Sequence, residues 1–466
     1  MTTVATIREA AVGSSTTDAG NAEFFVSMFG DVVRFDFARK RWLIWDSHRW
    51  RPDDDAAVSR MALESVRRRL VELSQADELE FETRRKLLNS TLSAENVARQ
   101  SALLRLAATM TPVADSGRGW DATPGVLGVP NGVVDLRTGV RRDGRRDDRI
   151  TMHAGAAYDP SAQAPRWEQF LVEVFDGDDD LVRYVQRLAG YSLTGEATED
   201  IAAFLMGVGN NGKTTLLTTL REAAGDYGRE ISAIALSSET RAAHSTEVTD
   251  LAGCRLASCE EMGDRRVNSD RLKSITGGGD VTARRMREDT ITFTQTWALW
   301  ITTNGLPRTD DNSVAFWRRV KVIPFDVQFD SNKETDLEQT LRAERPGILR
   351  WMVTGAVDFY REGLGEEPAA VREATSEYRE DIDPTEVLFE SGVLIADPEA
   401  RSSTSDIYVA YCAWARLHQP ASVPLFGEAG FAKLMGARFA RDRIGPRRVR
   451  GFKGVRVAVP GDAMTR

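Results

Sequence analysis

Hydrophobic and polar positions fall into successive patterns along the chain. Val32-Val33-Arg34-Phe35-Asp36-Phe37 and Trp42-Leu43-Ile44-Trp45 alternate or cluster β-formers around the polar Arg39-Lys40-Arg41, which predicts a hairpin closed by Arg49-Trp50-Arg51. Interleaved Trp and Arg could stack on bases, but a hairpin with one buried face is the simpler account. From Asp55 to Met110 apolar residues recur at helical spacing, giving two or three helices whose basic triplets, Arg67-Arg68-Arg69 and Arg84-Arg85-Lys86, read as solvated faces. Met1 to Ala22 is rich in Thr, Ala, Gly and Ser without a clear period and reads as a flexible leader. Leu127 to Asp135 and the basic stretch Arg137 to Arg149 read as short strands and turns, and Trp167 to Leu193 as helices.

From Ile201 the pattern changes. Apolar runs at Ile201–Met206, Cys254–Cys259, Trp297–Thr303 and Val320–Phe325 read as buried strands, and Thr215–Glu222 as a helix, which predicts an α/β core. Val281 to Phe293 reads as two short β segments around Arg284-Arg285-Met286-Arg287-Glu288-Asp289. After Phe325 the pattern is helical through Glu366; Thr385–Ala396 and Ser405–His418 read as amphipathic helices. Beyond Gly427 come a helix carrying Lys433, Arg438, Arg441 and Arg443, a Gly-Pro turn, and strands bearing Arg447, Arg448, Arg450, Lys453 and Arg456. A helix followed by a basic two-stranded wing suits a module that lays a helix in the major groove; a basic solvated face is the alternative.

Composition narrows the possibilities. At 466 residues two to four domains are expected, and 61 Lys and Arg against 70 Asp and Glu, a net charge of −9, confine nucleic-acid contact to local patches. Three cysteines without metal-ligand spacing argue against a disulfide framework. No apolar run approaches about 18 residues, so the expected setting is soluble, cytoplasmic and away from membranes.

The chemistry concentrates at Phe204 to Leu216, FLMGVGNNGKTTL, a G-x-x-x-x-G-K-[ST] pattern between predicted strand and helix. Gly207, Gly209 and Gly212 would let Val208, Asn210 and Asn211 turn their backbone N–H groups onto phosphate oxygens at the positive end of a helix that opens with Lys213, Thr214 and Thr215. Lys213 would reach the β- and γ-phosphates and Thr214 ligate Mg²⁺. A chance match in a surface loop is the alternative. Downstream, Glu260 and Glu261 end a strand where a nucleotide hydrolase keeps one acid for Mg²⁺ and one to polarise water. Asn304 ends another and could bond the γ-phosphate or simply make a turn. Arg318 and Arg319 head a third, and a guanidinium from a neighbouring subunit would make hydrolysis depend on assembly.

The ordered motifs GVGNNGKTT, LASCEE, LKSITGGGD, WITTN and FWRRVKVIPF resemble the superfamily 3 helicases, specifically the phage/plasmid primase-helicase branch related to the poxvirus primase-helicase. The likeness extends upstream through PNGVVDLRTG, AYDP and GYSLTGEATED. It implies an AAA+-type ATPase core with an N-terminal α+β and helical region and a C-terminal winged-helix-like domain, assembled as a hexamer that hydrolyses ATP with Mg²⁺ between subunits and moves on single-stranded or forked DNA. It also implies that Glu260 joins Thr214 at the metal, that Asn304 is a sensor, that Arg319 is the finger acting in trans and that Lys273 faces the neighbour's nucleotide. A channel hairpin would grip DNA with Arg285 and Arg287, and the wing with Arg441, Arg447, Arg448, Arg450 and Lys453. Glu-Glu stands where many relatives carry an Asp in the acidic pair. Expected boundaries are 1–159 for the N-terminal domain, 160–200 for a collar-like module, 201–330 for the ATPase, 331–383 for a helical extension and 384–466 for the winged-helix-like domain.

The setting implied is a phage, prophage or plasmid replication system. Two rivals stay open: an ATP-controlled initiator or DNA-binding switch without processive unwinding, and a small-molecule kinase using the same loop. Met1 to Asp159 shows no carboxylate pair on a strand assignable to primer synthesis, so a primase on a separate polypeptide is the expected partner.

Overall fold

The computed structural model describes residues 4–237, 244–262, 265–284, 290–305, 307, 309, 313–329, 336–382, 384–418, 427–446 and 448–459. The chain divides into two compact units, Met1–Ala162 with Ala223–Tyr227, and Gln163–Glu222 with Gly228–Arg466.

In the first unit the hairpin forms as expected. Strands Val33–Asp36, Arg41–Trp45 and Trp50–Pro52 pair antiparallel, and Ala114–Asp115 joins Val33–Asp36 in parallel. Trp50 is structural, buried between Trp45 and Trp120 with ring centroids 5.5 and 5.9 Å apart. Three helices follow, Ala57–Ser74, Phe81–Ser93 and Val97–Ala107, and the strands Val126–Val129, Gly132–Asp135 and Val140–Arg142 make a second antiparallel sheet.

The expected leader is instead two helices, Val4–Gly13 and Asp18–Phe29. Their anchor is Arg69, which is buried rather than solvated and donates to Asn21 Oδ1 at 2.6 Å and to the carbonyls of Ala11, Ser14 and Ser15 at 3.3, 2.6 and 3.0 Å. A guanidinium fits here because the carbonyls leaving a helix have no intrahelical partner. Burial pushes its pKa down to about 10. Arg67 and Arg68 are exposed, as expected, and pair with Glu95 and Glu72.

The second unit is a mixed α/β body on a five-stranded parallel sheet, in the order Val320–Pro324, Ala202–Met206, Ala298–Thr303, Leu256–Cys259, Gly228–Ile231. Counted along the chain this is 5-1-4-3-2. Ala202–Leu205, Leu256–Cys259 and Ala298–Thr303 are buried throughout, which explains their near-continuous apolar runs. Two helices, Asp179–Thr194 and Arg345–Glu362, touch through glycine: a Cβ on Gly190 would collide with the backbone of Ala356, and one on Gly355 with that of Gln186. Trp300 Nε1 donates to Ser192 Oγ at 2.9 Å and Arg255 to Leu193 O at 2.7 Å, tying the first of these helices to two strands.

The strands Asp280–Arg284 and Thr290–Thr294 form the expected antiparallel pair. The C-terminal part departs from expectation in two ways. Thr385–Ala396 is not one helix: Pro384–Glu390 is helical, but Leu394–Ser403 is a strand that pairs with Val449–Val457. Arg441 and Arg443 lie on the strand Arg441–Ile444 rather than on the preceding helix, Glu428–Arg438, so the sheet has three strands and not two. Phe431 of that helix stacks on Tyr411 at 4.5 Å over a core with Phe452 and Val455. Among the described residues no helix is long and apolar enough to cross a membrane.

The glycine contact sets the spacing of the two helices. Gly190→Ala therefore destabilises the second unit by about 1–3 kcal/mol through overpacking, read as a lower urea midpoint; an unchanged midpoint contradicts the close approach.

Candidate functional site

Because the five strands run the same way, the residues that follow them collect at one edge of the sheet. The register sets their level. Met206 pairs with both Thr303 and Pro324, and Cys259 with Ile301, so Gly207 emerges level with Asn304, and Glu260 and Glu261 emerge at the same edge two and one residues lower.

Between the strand Ala202–Met206 and the helix Lys213–Ala224 the chain turns through two left-handed residues, Asn210 at φ +60° and Gly212 at +86°. Gly212 lies against Val174 and Phe170, and a Cβ there would meet Val174 at 2.7 Å. Asn211 is buried and donates to Phe325 O at 3.0 Å, while Asn210 donates to Phe329 O. Val208 and Gly209 are exposed, as is Thr214 at the opening turn of the helix; Thr215 is half-buried. Lys213 is only 5% exposed, and its Nζ donates to Gly207 O at 2.5 Å and Asn211 Oδ1 at 2.8 Å. Burial holds its pKa below the usual lysine value. A half-desolvated ammonium with no carboxylate partner among these bonds would gain from an anion, and the helix beneath it presents its positive end.

The two acids occupy different surroundings. Glu260 Oε1 lies 3.2 Å from the Arg221 guanidinium, yet the angle makes no hydrogen bond and the oxygen is buried without a hydrogen-bond partner. Arg221 meanwhile donates to Glu230 Oε2 at 2.6 Å and Ser258 Oγ at 3.0 Å. Glu261 is exposed, holds φ +53°, and donates its backbone N–H to Thr302 Oγ1 at 3.1 Å. Asn304 is exposed. Among the described residues no cluster of three His, Cys, Asp or Glu could hold a metal ion. Thr214 and the unfilled Glu260 oxygen would supply one hydroxyl and one carboxylate, the sparse protein share with which Mg²⁺ is held when phosphates complete its shell.

The arginine pair divides unequally. Arg319 is 7% exposed, and donates to Ala315 O at 2.6 Å and Asp200 Oδ2 at 3.0 Å. The side chain of Arg318 is 59% exposed and shares the Asp200 carboxylate. The expectation that Arg319 reaches another subunit is thus at odds with its burial; Arg318 is the one on the surface. Lys273 lies half-buried in the helix Ser269–Ile275. Arg285, Arg287 and Arg447 lie outside the described residues.

On the C-terminal sheet, Arg441, Arg443, Arg448, Arg450 and Lys453 are all exposed. Arg443 stands directly opposite Arg450 across two strands, a repulsive pairing in the absence of an anion. The nearby acids are engaged elsewhere, Asp442 with Arg401 at 3.4 Å and Asp397 with Arg456 at 3.2 Å.

Sequence reasoning missed Arg221 and Asp200, whose roles rest on contacts distant in the chain. It also missed a carboxylate pair in the first unit, where the parallel pairing sets Asp36 beside Asp115. Both are occupied. Arg39 meets Asp36 at 3.0 Å, and Arg149 grips Asp115 through two bonds of 2.8 and 2.9 Å while stacking on Trp120. Burial pushes Asp115 up, but Arg149, the Gly117 N–H and Trp120 together hold it below the usual carboxylate range. These carboxylates knit loops together.

Residues 22–176 match a family model described as D5 N terminal like, and residues 205–319 a model described as a family of unknown function, DUF5906. "Putative helicase L207/L206" of Acanthamoeba polyphaga mimivirus is 25% identical over 380 residues, 73% of this chain and 39% of that protein. "Putative helicase 022R" of Frog virus 3 is 27% identical over 54% of this chain and 28% of its own length, and "Putative primase C962R" of African swine fever virus 25% identical over 46% and 23%. The chain thus spans 39% or less of the length of these relatives. In fold, it is similar to the apo structure of the NrS-1 C-terminal region, with a TM-score of 0.50 at 11% identity over 92% of this chain and 98% of that one. In its D5 N terminal like match and its helicase- and primase-named viral relatives, the chain is similar to the D5-like primase-helicases.

Proposed function

We propose that this chain is an ATP-dependent DNA helicase of a phage, prophage or plasmid replication system, working as a ring, with six subunits as the expected number, around one DNA strand. The observation that carries the reading is the desolvated Lys213 behind a glycine turn that follows one strand, with Glu260, Glu261 and Asn304 following the next two strands at the same edge of the parallel sheet. Relatives named as helicases and a primase support DNA as the substrate.

In this reading the turn from Gly207 to Gly212 wraps the phosphates, and Lys213 exchanges Gly207 O and Asn211 for phosphate oxygens. Magnesium, held by Thr214 and Glu260, would neutralise charge on the phosphates. Arg221 positions Glu260 through their ion pair at 3.2 Å. Glu261, free of that ion pair, orients the attacking water and takes its proton, and Asn304 holds the water or the γ-phosphate. Arg318 is the guanidinium that extends to the next subunit's nucleotide, while Arg319 anchors the strand head through Asp200. The like-charged Arg443 and Arg450, with Arg441, Arg448 and Lys453, bind phosphates of the DNA backbone, giving affinity that falls with salt and carries no sequence code.

Strand displacement on a forked duplex tests the reading. Wild-type protein separates the strands with ATP, and Lys213→Ala lowers both turnover and displacement by at least about a hundredfold, the scale of losing a charge-stabilising group. ATP-dependent DNA binding without displacement would instead support the initiator or switch.

Arg318→Ala keeps the wild-type melting temperature and loses turnover, which returns in part when it is mixed with Lys213→Ala because each supplies what the other lacks. Arg319→Ala is destabilised by about 1–3 kcal/mol, as Asp200 loses its more buried partner. The opposite pattern, a stable inactive Arg319→Ala and an active Arg318→Ala, reverses the two roles.

A further inference from the structure

The first unit holds a cleft that the proposed nucleotide chemistry does not use. It measures about 260 Å³, with Phe35, Phe37 and Trp42 on one wall and Leu104, Arg105 and Ala108 on the other. Phe35 stands opposite Trp42 across the hairpin, and Phe37 follows two residues later on the same side, so the rings form one stripe. Phe35 meets Phe37 edge to face at 5.0 Å and Trp42 at 5.1 Å. Such rings would ordinarily close over the core, yet Phe37 remains 46% exposed.

Charge distinguishes this cleft from a patch left bare by chance. Arg105 is its one ionisable lining residue, and it is exposed with no ion pair among the described residues. Lys40, also exposed and unpaired among the described residues, stands at φ +52° in the turn that carries Phe37. Asp36, the acid next to Phe37, is fully buried and held by Arg39 and Arg41. The result is an aromatic floor with Arg105 in its wall and Lys40 on the turn that adjoins it. An apolar protein segment would gain from the floor but not from these cations, whereas an unpaired nucleotide offers both a π-face and a phosphate. The cleft is open and smaller than the roughly 300–1,000 Å³ of enclosed small-molecule pockets, the size for one flat ring at the surface.

We propose that this cleft is a single-stranded nucleic-acid site, in which an unpaired base stacks on Phe37 and the adjoining backbone phosphates contact Arg105 and Lys40. It rests on the reading that the chain works on DNA, but not on the nucleotide site: stacking and phosphate contact need no ATP. Recognition is tolerant of sequence, because every base presents a π-face.

The test is anisotropy of a fluorescein-labelled oligothymidylate bound to the full chain without nucleotide, with an abasic oligonucleotide of equal length for comparison. Phe37→Ala weakens oligothymidylate binding about tenfold, the scale of one stacked base, and Phe37→Trp restores it. On the abasic strand Phe37→Ala and wild type bind alike. Arg105→Ala reduces the slope of log affinity against log salt by about 1. Crosslinks from 5-iododeoxyuridine map to segments 35–42 and 104–109. Because Phe37 is half exposed, the melting temperature of Phe37→Ala stays at the wild-type value, which separates lost contact from lost fold. Unchanged affinity in Phe37→Ala, as expected were the groove to hold a protein side chain, or crosslinks confined to other segments, overturns the proposal. Failure of the helicase reading looks different: no variant displaces a strand, while Phe37-dependent binding persists and is unaffected by Lys213→Ala.

Discussion

The second unit depends on one constraint, the parallel register of its five strands. A parallel sheet brings every strand's carboxyl end to the same edge, and the pairing of Met206 with Thr303 and of Cys259 with Ile301 sets the level at which each following residue emerges. Loop residues separated by about a hundred positions become neighbours without any bond between them. The strand that carries the glycine turn lies between Ala298–Thr303 and Val320–Pro324, so acids and amide arrive on one side and the arginine-headed strand on the other. Register in turn depends on burial, since slipping by one residue would move Phe204 or Trp300 off its side of the sheet.

Buried arginines fasten this frame. Arg69 takes the carbonyls leaving Val4–Gly13, Arg255 a carbonyl in the last turn of Asp179–Thr194, and Arg319 both Ala315 O and Asp200. Each supplies several donors to acceptors that would otherwise be buried unfilled, a role lysine's single nitrogen performs poorly. The same chemistry leaves Lys213 distinctive, because its partners are a carbonyl and an amide and an arriving phosphate can replace them.

Much of this was legible in the sequence. Apolar runs too short for helices gave four of the five strands of the parallel sheet, and glycine spacing gave the turn before Lys213. What escaped detection was non-local. Val4–Gly13 is short and fastened by Arg69, far along the chain, so composition alone suggested a leader. Arg67, Arg68 and Arg69 look identical as letters, although helical geometry turns only the third inward. Leu394–Ser403 alternates weakly and becomes a strand because Val449–Val457 pairs with it. Asp36 and Asp115 are paired by a parallel contact that no local pattern announces, and the unequal exposure of Arg318 and Arg319 is a matter of packing.

In the proposed function the two units divide the labour, with nucleotide at the strand edge of one and an aromatic, cationic cleft on the other. The account stands on the nucleotide being held at that edge and completed from outside the subunit. Imaging the protein with a non-hydrolysable ATP analogue and forked DNA tests this most directly. The account predicts a closed ring, nucleotide against Lys213 and Thr214, and the neighbour's Arg318 released from Asp200 and turned toward the phosphates. Nucleotide bound elsewhere, or held at that edge in a lone subunit fully competent for hydrolysis, would contradict it.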